Sequence, residues 1–167
     1  MPSITYHELS HYNAGTLHTR TFDLDAVTAS EHADEIQEWL KELSTSTCQY
    51  CEEWIVCDSE DVPSRYVSEY SLDPAFFDYL GAVADSDLGA DIWLAGIDLG
   101  IPLESIEDAY SGTYDNDQDF AQDMAESTGA TDASLSWPHT CIDWEYAARE
   151  LMYDYRAQDN QYFSSQY

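Results

Sequence analysis

The stretch SEHADEIQEWLKEL, residues 30–43, mixes apolar and acidic side chains with the period of an α-helix. Its apolar positions recur three or four residues apart and would share one face of that helix. These positions are Ala33, Ile36, Leu40 and Leu43. We therefore predict a helix that is capped near Ser30 and packs its apolar face into a core.

The same helix carries a row of carboxylates. Its members are Glu31, Asp34, Glu35, Glu38 and Glu42. At about 1.5 Å of rise per residue, the row is roughly 16 Å long. A solvated helix face would normally intersperse lysines, because neighbouring like charges destabilise a helix by about a few tenths of a kcal/mol per pair. Only Lys41 is present here, so the row resembles a row of phosphates.

The whole chain is strongly acidic. It has 34 Asp and Glu against five Lys and Arg, which gives a formal net charge of −29, and the acids are spread along its full length. A disordered acidic tail is excluded, because 44% of the residues are hydrophobic and 14% are aromatic. Direct binding to nucleic acid or to an anionic membrane is disfavoured, since both carry negative charge. The composition predicts a folded protein whose partner presents a basic surface.

The sequence also bears on location and environment. No apolar run reaches transmembrane length, and the N-terminal residues lack the pattern of a signal peptide. We therefore expect a cytoplasmic protein. Adaptation of a housekeeping protein to high salt would produce the same charge statistics, and composition alone leaves that alternative open.

Short strands and helices are predicted on both sides of the first helix. Strands are expected at residues 4–9 and 19–24, joined by a turn at 12–15, and again at 53–57. A polar break at 58–63 is a candidate domain boundary. Helix signals alone follow as far as residue 103.

Local capping signals place the later helices. Asp73-Pro74 begins one helix, Asp91 another, and residues 103–110 form a third. Asp115 or Asn116 caps a helix that ends at Thr128-Gly129. A final helix follows Ile142-Asp143 and runs through Tyr155, and Tyr162-Phe163 forms an edge strand. These elements predict mixed α and β structure in small consecutive units.

One enzyme motif is present at residues His7-Glu8-Leu9-Ser10-His11, which match the zinc-peptidase pattern His-Glu-x-x-His. Its chemistry needs a helix, so that both histidines bind zinc beside a glutamate base. This segment favours a strand that enters a turn, which would separate the histidines. A zinc metallopeptidase is therefore the less favoured alternative, and the residues predict a protein that is not an enzyme.

A second alternative is a calcium-binding module. Asp115, Asp117, Asp119, Asp123 and Glu126 occupy positions 1, 3, 5, 9 and 12 of an EF-hand loop. The glycine of position 6 is replaced by Phe120, and without it the sharp turn is sterically difficult. The competing interpretation is a helix with acids in its first turn, where the helix dipole favours them.

Cysteines and histidines offer one more metal site. Cys48, Cys51 and Cys57 could supply three thiolates to zinc, with Cys141 or His139 as the fourth ligand. A second Cys-x-x-Cys pair is missing and no neighbouring base favours thiolates, so free thiols are the preferred interpretation. His32 and His139 are expected at the surface or in packing. We predict no cofactor.

Three segments keep the order and spacing of a known family. The first, residues 6–24, contains YNAG and RTFDL; the second, residues 106–129, opens with IEDAYSG; the third, residues 142–151, contains IDWEY and AREL. Together they resemble the antirestriction protein ArdA family of conjugative elements and phages. The match reaches both ends of the chain, and the middle, about 45–103, departs most.

The resemblance implies an α+β fold and a homodimer. The chain would form an elongated series of three small consecutive domains that mimics bent B-form DNA. They are residues 1–62 (a β-sheet plus helix), 63–103 (helical) and 104–167 (mixed α/β). Asp115 to Asp132 would correspond to an acidic stretch associated with antirestriction activity, and Arg149 would help to build the C-terminal domain.

The resemblance further implies an inhibitor carried by mobile genetic elements, such as conjugative transposons and phages. It would occupy the DNA-binding groove of type I restriction–modification enzymes, blocking restriction and often methylation. If each carboxylate stood for one phosphate, the chain would match at most about 58 Å of duplex, or roughly 17 base pairs. Single neutralisations should matter little on such a distributed surface. The predicted surface comprises Asp23, Asp25, Glu31, Asp34, Glu35, Glu38, Glu42, Asp78, Asp85, Asp87, Asp91, Glu104, Glu107, Asp108, Asp115, Asp117, Asp119, Asp123, Glu126 and Asp132.

Overall fold

The predicted α+β class is confirmed by the computed structural model, which describes residues 1–47, 49–132, 134 and 136–167. Within them, helices are combined with two three-stranded antiparallel sheets. The chain forms two units, Met1–Gly81 and Ala82–Tyr167. The three-domain division at 1–62, 63–103 and 104–167 stays a prediction.

The first sheet has its N-terminal strand in the centre. Strand β1 (Ser3–Glu8) pairs with β2 (Thr19–Asp23) on one side and β3 (Trp54–Glu60) on the other. The strands predicted at 4–9, 19–24 and 53–57 are therefore confirmed, with shifted ends. A short helix, α1 (Leu9–Asn13), starts where the first strand was expected to end.

Helix α2 (Ala29–Thr47) covers this sheet with an apolar face. Ile36, Leu40 and Leu43 are buried as predicted, and Phe22 of the sheet packs against Trp39 with ring centroids 6.0 Å apart. Ala33 is exposed, contrary to the prediction. The buried face passes through His32 and Trp39 instead, because a histidine can be buried when its ring packs among aromatic neighbours.

The N-terminal cap of α2 is Thr28, so the prediction of a cap near Ser30 is off by two residues. Thr28 Oγ1 accepts a hydrogen bond of 3.2 Å from the Glu31 N–H, and Glu31 Oε2 accepts one of 2.9 Å from the Thr28 N–H. This reciprocal pair is a capping box.

The first middle helix, α3 (Ala75–Asp85), begins at its predicted cap, whereas α4 (Ala90–Asp98) is capped by Gly89 and starts one residue before the predicted Asp91. Asp73 Oδ1 accepts a 3.0 Å hydrogen bond from the Ala75 N–H at the start of α3. A 3₁₀ turn (Leu103–Ser105) and α5 (Ile106–Ala109) follow. A Cβ on Gly96 would lie 3.0 Å from the Ile106 side chain, so glycine permits the close approach of α4 and α5.

The second sheet differs most from expectation. Its strands are β4 (Tyr110–Thr113), β5 (Tyr155–Gln158) and β6 (Gln161–Ser164), in the order β4-β6-β5. The strand containing Tyr162-Phe163 is therefore central, and its prediction as an edge strand is wrong. The helix predicted for 103–110 ends one residue early, because Tyr110 opens β4.

Helix α6 (Asp117–Ser127) packs against this second sheet, and helix α7 (Trp144–Leu151) packs against α6. Helix α6 buries Phe120, whose ring centroid lies 4.6 Å from that of Tyr162. Helix α7 begins after its cap Asp143 and stops four residues before Tyr155, where it was predicted to end. The chain turns into a β5–β6 hairpin there, because Asp159 and Asn160 adopt the positive φ angles of a tight two-residue turn.

Candidate functional site

The predicted carboxylate surface lies in solvent. All twenty of its residues are exposed, and so are the other acids of the chain with one exception. That exception is Glu8, which is fully buried. Since the chain has 34 Asp and Glu, all within the described residues, 33 negative side chains face water.

The row on α2 occupies an exposed face beside the buried one. Its carboxylates are the exposed Glu31, Asp34, Glu35, Glu38 and Glu42. At the C-terminal end, Arg20 Nη1 lies 3.5 Å from Glu42 Oε2 in a solvent-exposed ion pair. At the N-terminal end, hydrogen bonds from the Thr28 hydroxyl and N–H hold the pKa of Glu31 below its ordinary value. The row therefore presents a nearly continuous negative edge.

Neutral hydroxyl donors hold several carboxylates around α6. Tyr162 Oη donates to Asp117 Oδ1 over 2.7 Å, and Tyr114 Oη donates to Asp123 Oδ2 over 2.7 Å. The bond to Asp123, with partial burial, raises the pKa of Tyr114 to about 12. Because these donors carry no charge, they orient the carboxylates without neutralising them.

Other exposed acids are fixed in the same way. Ser134 donates to Asp132 Oδ1 through its hydroxyl (2.6 Å) and its N–H (2.8 Å), and these bonds lower the pKa of Asp132. Ser86 Oγ donates to Glu107 Oε1 over 3.0 Å. The remaining predicted acids of the Ala82–Tyr167 unit lie along α3 to α6 or in the turns between them.

The calcium-loop alternative is wrong. Residues 117–127 form the helix α6, whereas an EF-hand needs a loop there. Asn116 Oδ1 caps this helix by accepting 3.0 Å hydrogen bonds from the N–H groups of Gln118 and Asp119. Phe120, at the position of the missing glycine, is a buried core residue.

The metallopeptidase alternative is also wrong. His7 lies in β1, where its ring packs on Tyr12, and His11 lies in α1, so the two histidines do not share a helix face. Glu8 is no free base, because its carboxylate accepts hydrogen bonds from Ser10 and His11. Burial opposes its ionisation, but these hydrogen bonds outweigh that effect and lower the pKa of Glu8.

The cysteine set considered from the sequence lies only partly within the described residues. Cys48 lies outside the described residues, Cys57 is exposed and donates to the Thr5 carbonyl over 3.3 Å, and Cys141 belongs to the second unit. Cys51 is buried beside His11, with 3.8 Å between Sγ and Nδ1. His32, which was expected either at the surface or in packing, is buried and packs against aromatic rings.

Comparison with known proteins identifies the chain. A family model described as Antirestriction protein (ArdA) matches residues 7–164 of the 167. The chain belongs to the ArdA antirestriction family. This family consists of inhibitors directed at restriction–modification enzymes, and it is not known for catalysis. A search of curated proteins found no match.

Two features of this ArdA-family protein escaped the sequence analysis. Thirteen further acids are exposed but lie outside the predicted surface, among them Glu52, Glu53 and Asp58 beside and on β3. Glu8 was overlooked as a buried residue, although its alternation with Ile4 and Tyr6 along β1 indicates that its side chain faces the core.

Among the described residues, no helix is both long and apolar enough to cross a membrane.

Proposed function

We propose that this ArdA-family protein inhibits type I restriction–modification enzymes by mimicking DNA. Its carboxylates would enter the basic groove that normally binds the duplex and compete with DNA for it. The observation that carries the proposal is the exposure of 33 of the 34 acids, with only five Lys and Arg in the chain. Such a surface presents negative charge in the way a duplex presents phosphates.

The electrostatic cost of this surface supports a binding role. Like charges repel one another in a compact state and destabilise it. The acidic row on α2 also opposes helix formation, since like charges one turn apart are unfavourable. A surface that costs stability on both units is explained when the charges serve a partner of opposite sign.

The protein would act in the cytoplasm, where restriction enzymes meet incoming DNA, and a mobile element that carried it would escape cleavage. We further propose a homodimer, because one chain matches at most roughly 17 base pairs even when every carboxylate is counted. Light scattering on the purified protein measures the dimer directly. A monomer at the concentration that inhibits would remove this part of the proposal.

A competition assay tests the function. Purified protein is added to a type I enzyme and fluorescent DNA, and the displaced DNA and its cleavage are both measured. We expect the protein to displace DNA and to inhibit cleavage at matching concentrations. Inhibition without displacement of DNA would show that the protein acts elsewhere than in the DNA-binding groove.

A further inference from the structure

Glu8 is buried, whereas every other Asp and Glu side chain is exposed. Its side chain is fully buried at the end of β1 and accepts hydrogen bonds from the N–H groups of Ser10 (3.1 Å) and His11 (2.7 Å). Its Oε2 also lies 2.6 Å from His11 Nδ1. Burying a carboxylate is costly unless it is paired or binds a metal, and 33 others in this chain avoid that cost by facing water.

A buried thiol completes the surroundings of this carboxylate. Cys51 is 6% exposed, and its Sγ lies 3.8 Å from His11 Nδ1. One donor atom from each of Glu8, His11 and Cys51 lies within 4.8 Å of the other two. Carboxylate oxygen, imidazole nitrogen and thiolate sulfur are the three ligand types that zinc takes in proteins. The thiolate and the imidazole favour zinc over magnesium or calcium.

Hydrogen bonds position the segments that carry these residues. The Leu9 N–H donates to the Glu53 carbonyl over 3.0 Å, which fixes the start of α1 beside the segment that precedes β3. The Cys51 N–H donates to Ser44 Oγ on α2 over 2.9 Å. Three elements of the fold therefore bring these ligands together, and little rearrangement is needed for them to close on an ion.

His18 lies beside the cluster. Its ring packs edge-on against that of His11, with centroids 4.5 Å apart, and its carbonyl accepts a 3.0 Å hydrogen bond from the Glu8 N–H. A structural zinc ion has four ligands in a tetrahedron. Rotation of the His18 ring would supply the fourth, and a water molecule would do so otherwise.

We propose that Glu8, His11 and Cys51 form a structural zinc site that ties the β1–α1 corner to the segment before β3. This ligand set differs from both zinc sites considered from the sequence. The peptidase pattern needs His7 as a ligand and Glu8 as a base, and the cysteine set needs Cys48 and Cys57. The proposed ligands are buried, so the site is separate from the carboxylate surface.

Cobalt binding to the full-length protein tests the site, because Co²⁺ takes the place of Zn²⁺ and a thiolate ligand gives it a charge-transfer band. We expect about one Co²⁺ per chain, displaced by Zn²⁺, with the band present in the wild type, Cys48→Ser and Cys57→Ser. The band should be absent from Cys51→Ser. Failure to bind, a band that persists in Cys51→Ser, or its loss in Cys48→Ser would overturn the proposal. His18→Ala distinguishes the fourth ligand, since only an imidazole ligand changes the cobalt spectrum when it is removed.

Alkylation of the wild-type protein gives a test that depends on no variant. We expect Zn²⁺ to slow the reaction of Cys51 with iodoacetamide on the order of tenfold or more, because only the metal-free form reacts. The exposed Cys57 serves as the internal control and should react at an unchanged rate. Mass spectrometry of the peptides measures both rates. Equal protection of the two thiols, or none at Cys51, would overturn the site.

Discussion

Two tyrosine hydroxyls in this protein fix the positions of carboxylates without reducing their negative charge. Tyr114 and Tyr162 donate to Asp123 and Asp117, and the buried Tyr162 ring is part of the core of the second unit. A neutral donor fixes the direction of a carboxylate, whereas a lysine would cancel its charge. The residues that orient the surface are therefore expected to affect stability more than binding.

Tyr114→Phe tests this separation. We expect the free energy of unfolding to fall by about 0.5–1 kcal/mol, since one partly exposed hydrogen bond to a charged group is lost. Inhibition should be retained, because Asp123 keeps its charge. Urea unfolding measures the first and the cleavage assay the second. Tyr153→Phe, an exposed tyrosine on the same unit, is the matched control and should leave both unchanged.

His32 gives the first unit a dependence on pH. It is buried, its Nε2 lies 3.0 Å from the Tyr6 hydroxyl, and burial lowers its pKa below the ordinary 6.5. The folded state therefore keeps His32 neutral while the unfolded chain takes up a proton below pH 6.5. By linkage, His32 does not change the free energy of unfolding above pH 6.5. As the pH falls below 6.5, the unfolded chain binds the proton more readily than the folded one, so the fold is progressively destabilised.

The matching experiment compares wild type with His32→Phe in urea at pH 7.5 and about 5.5. We expect the wild type to lose more stability between the two pH values than the variant does. The lowered pKa of Glu8 does not interfere, because its contribution is complete above its ordinary value of 4.5 and is lost only at lower pH. An identical loss in both proteins would show that His32 takes up no proton on unfolding.

At the scale of elements, two helix starts that depend on local sequence were predicted correctly, whereas the pairing of distant strands was not. Asp73 and Asn116 begin α3 and α6 as expected, because a cap is set by its own side chain and the next three residues. The central position of β6 depends on its pairing with β4, about 50 residues away, which no local pattern encodes. The turn at Asp159-Asn160 was a usable local signal for the β5–β6 hairpin, but it was not used to predict one.

The carboxylate surface was predictable for a related reason. An isolated charge is cheapest in water, so most acids of any chain are exposed, and all twenty predicted ones are. Glu8 breaks that rule because hydrogen bonds from α1 compensate its burial. Those bonds depend on a helix that the sequence analysis placed as a turn.

The capping box of α2 is testable by one pair of variants. Thr28→Ala should lower the free energy of unfolding by about 1 kcal/mol, because the cap satisfies an unpaired N–H of the first turn. Ser30→Ala, at the cap position predicted from sequence, should change it far less. Urea unfolding of both proteins measures the difference. A larger loss in Ser30→Ala would contradict the observed helix start.

Neutralising the row on α2 should change stability and function in opposite directions. The triple variant Asp34→Asn, Glu35→Gln, Glu38→Gln removes like-charge pairs, so we expect stability to rise by about a few tenths of a kcal/mol. Inhibition of cleavage should weaken. Unfolding cannot explain a loss of inhibition in a protein that has become more stable.

The control for this variant neutralises three exposed acids outside the predicted surface. They are Glu52, Glu53 and Asp58, changed to Gln, Gln and Asn. We expect the control to lose less inhibition than the α2 variant. Equal losses would mean that the α2 row has no special part in binding.

At the scale of the whole molecule, the negative surface extends over both units and has no single centre. Contacts between exposed charges are screened by salt, with a Debye length of about 10 Å at 0.1 M. Binding of a DNA mimic to a basic groove should therefore weaken steadily as salt rises. Each neutralised carboxylate that contacts the groove should reduce this salt dependence by a small step.

The most direct test measures the inhibition constant against a type I enzyme over a range of salt, for the wild type and for variants with one, three and six carboxylates neutralised. We predict a steep loss of affinity with salt in the wild type, a small change for any single neutralisation, and a salt dependence that decreases as more charges are removed. Inhibition that is insensitive to salt, or that a single Asp or Glu substitution abolishes in a folded protein, would contradict the account.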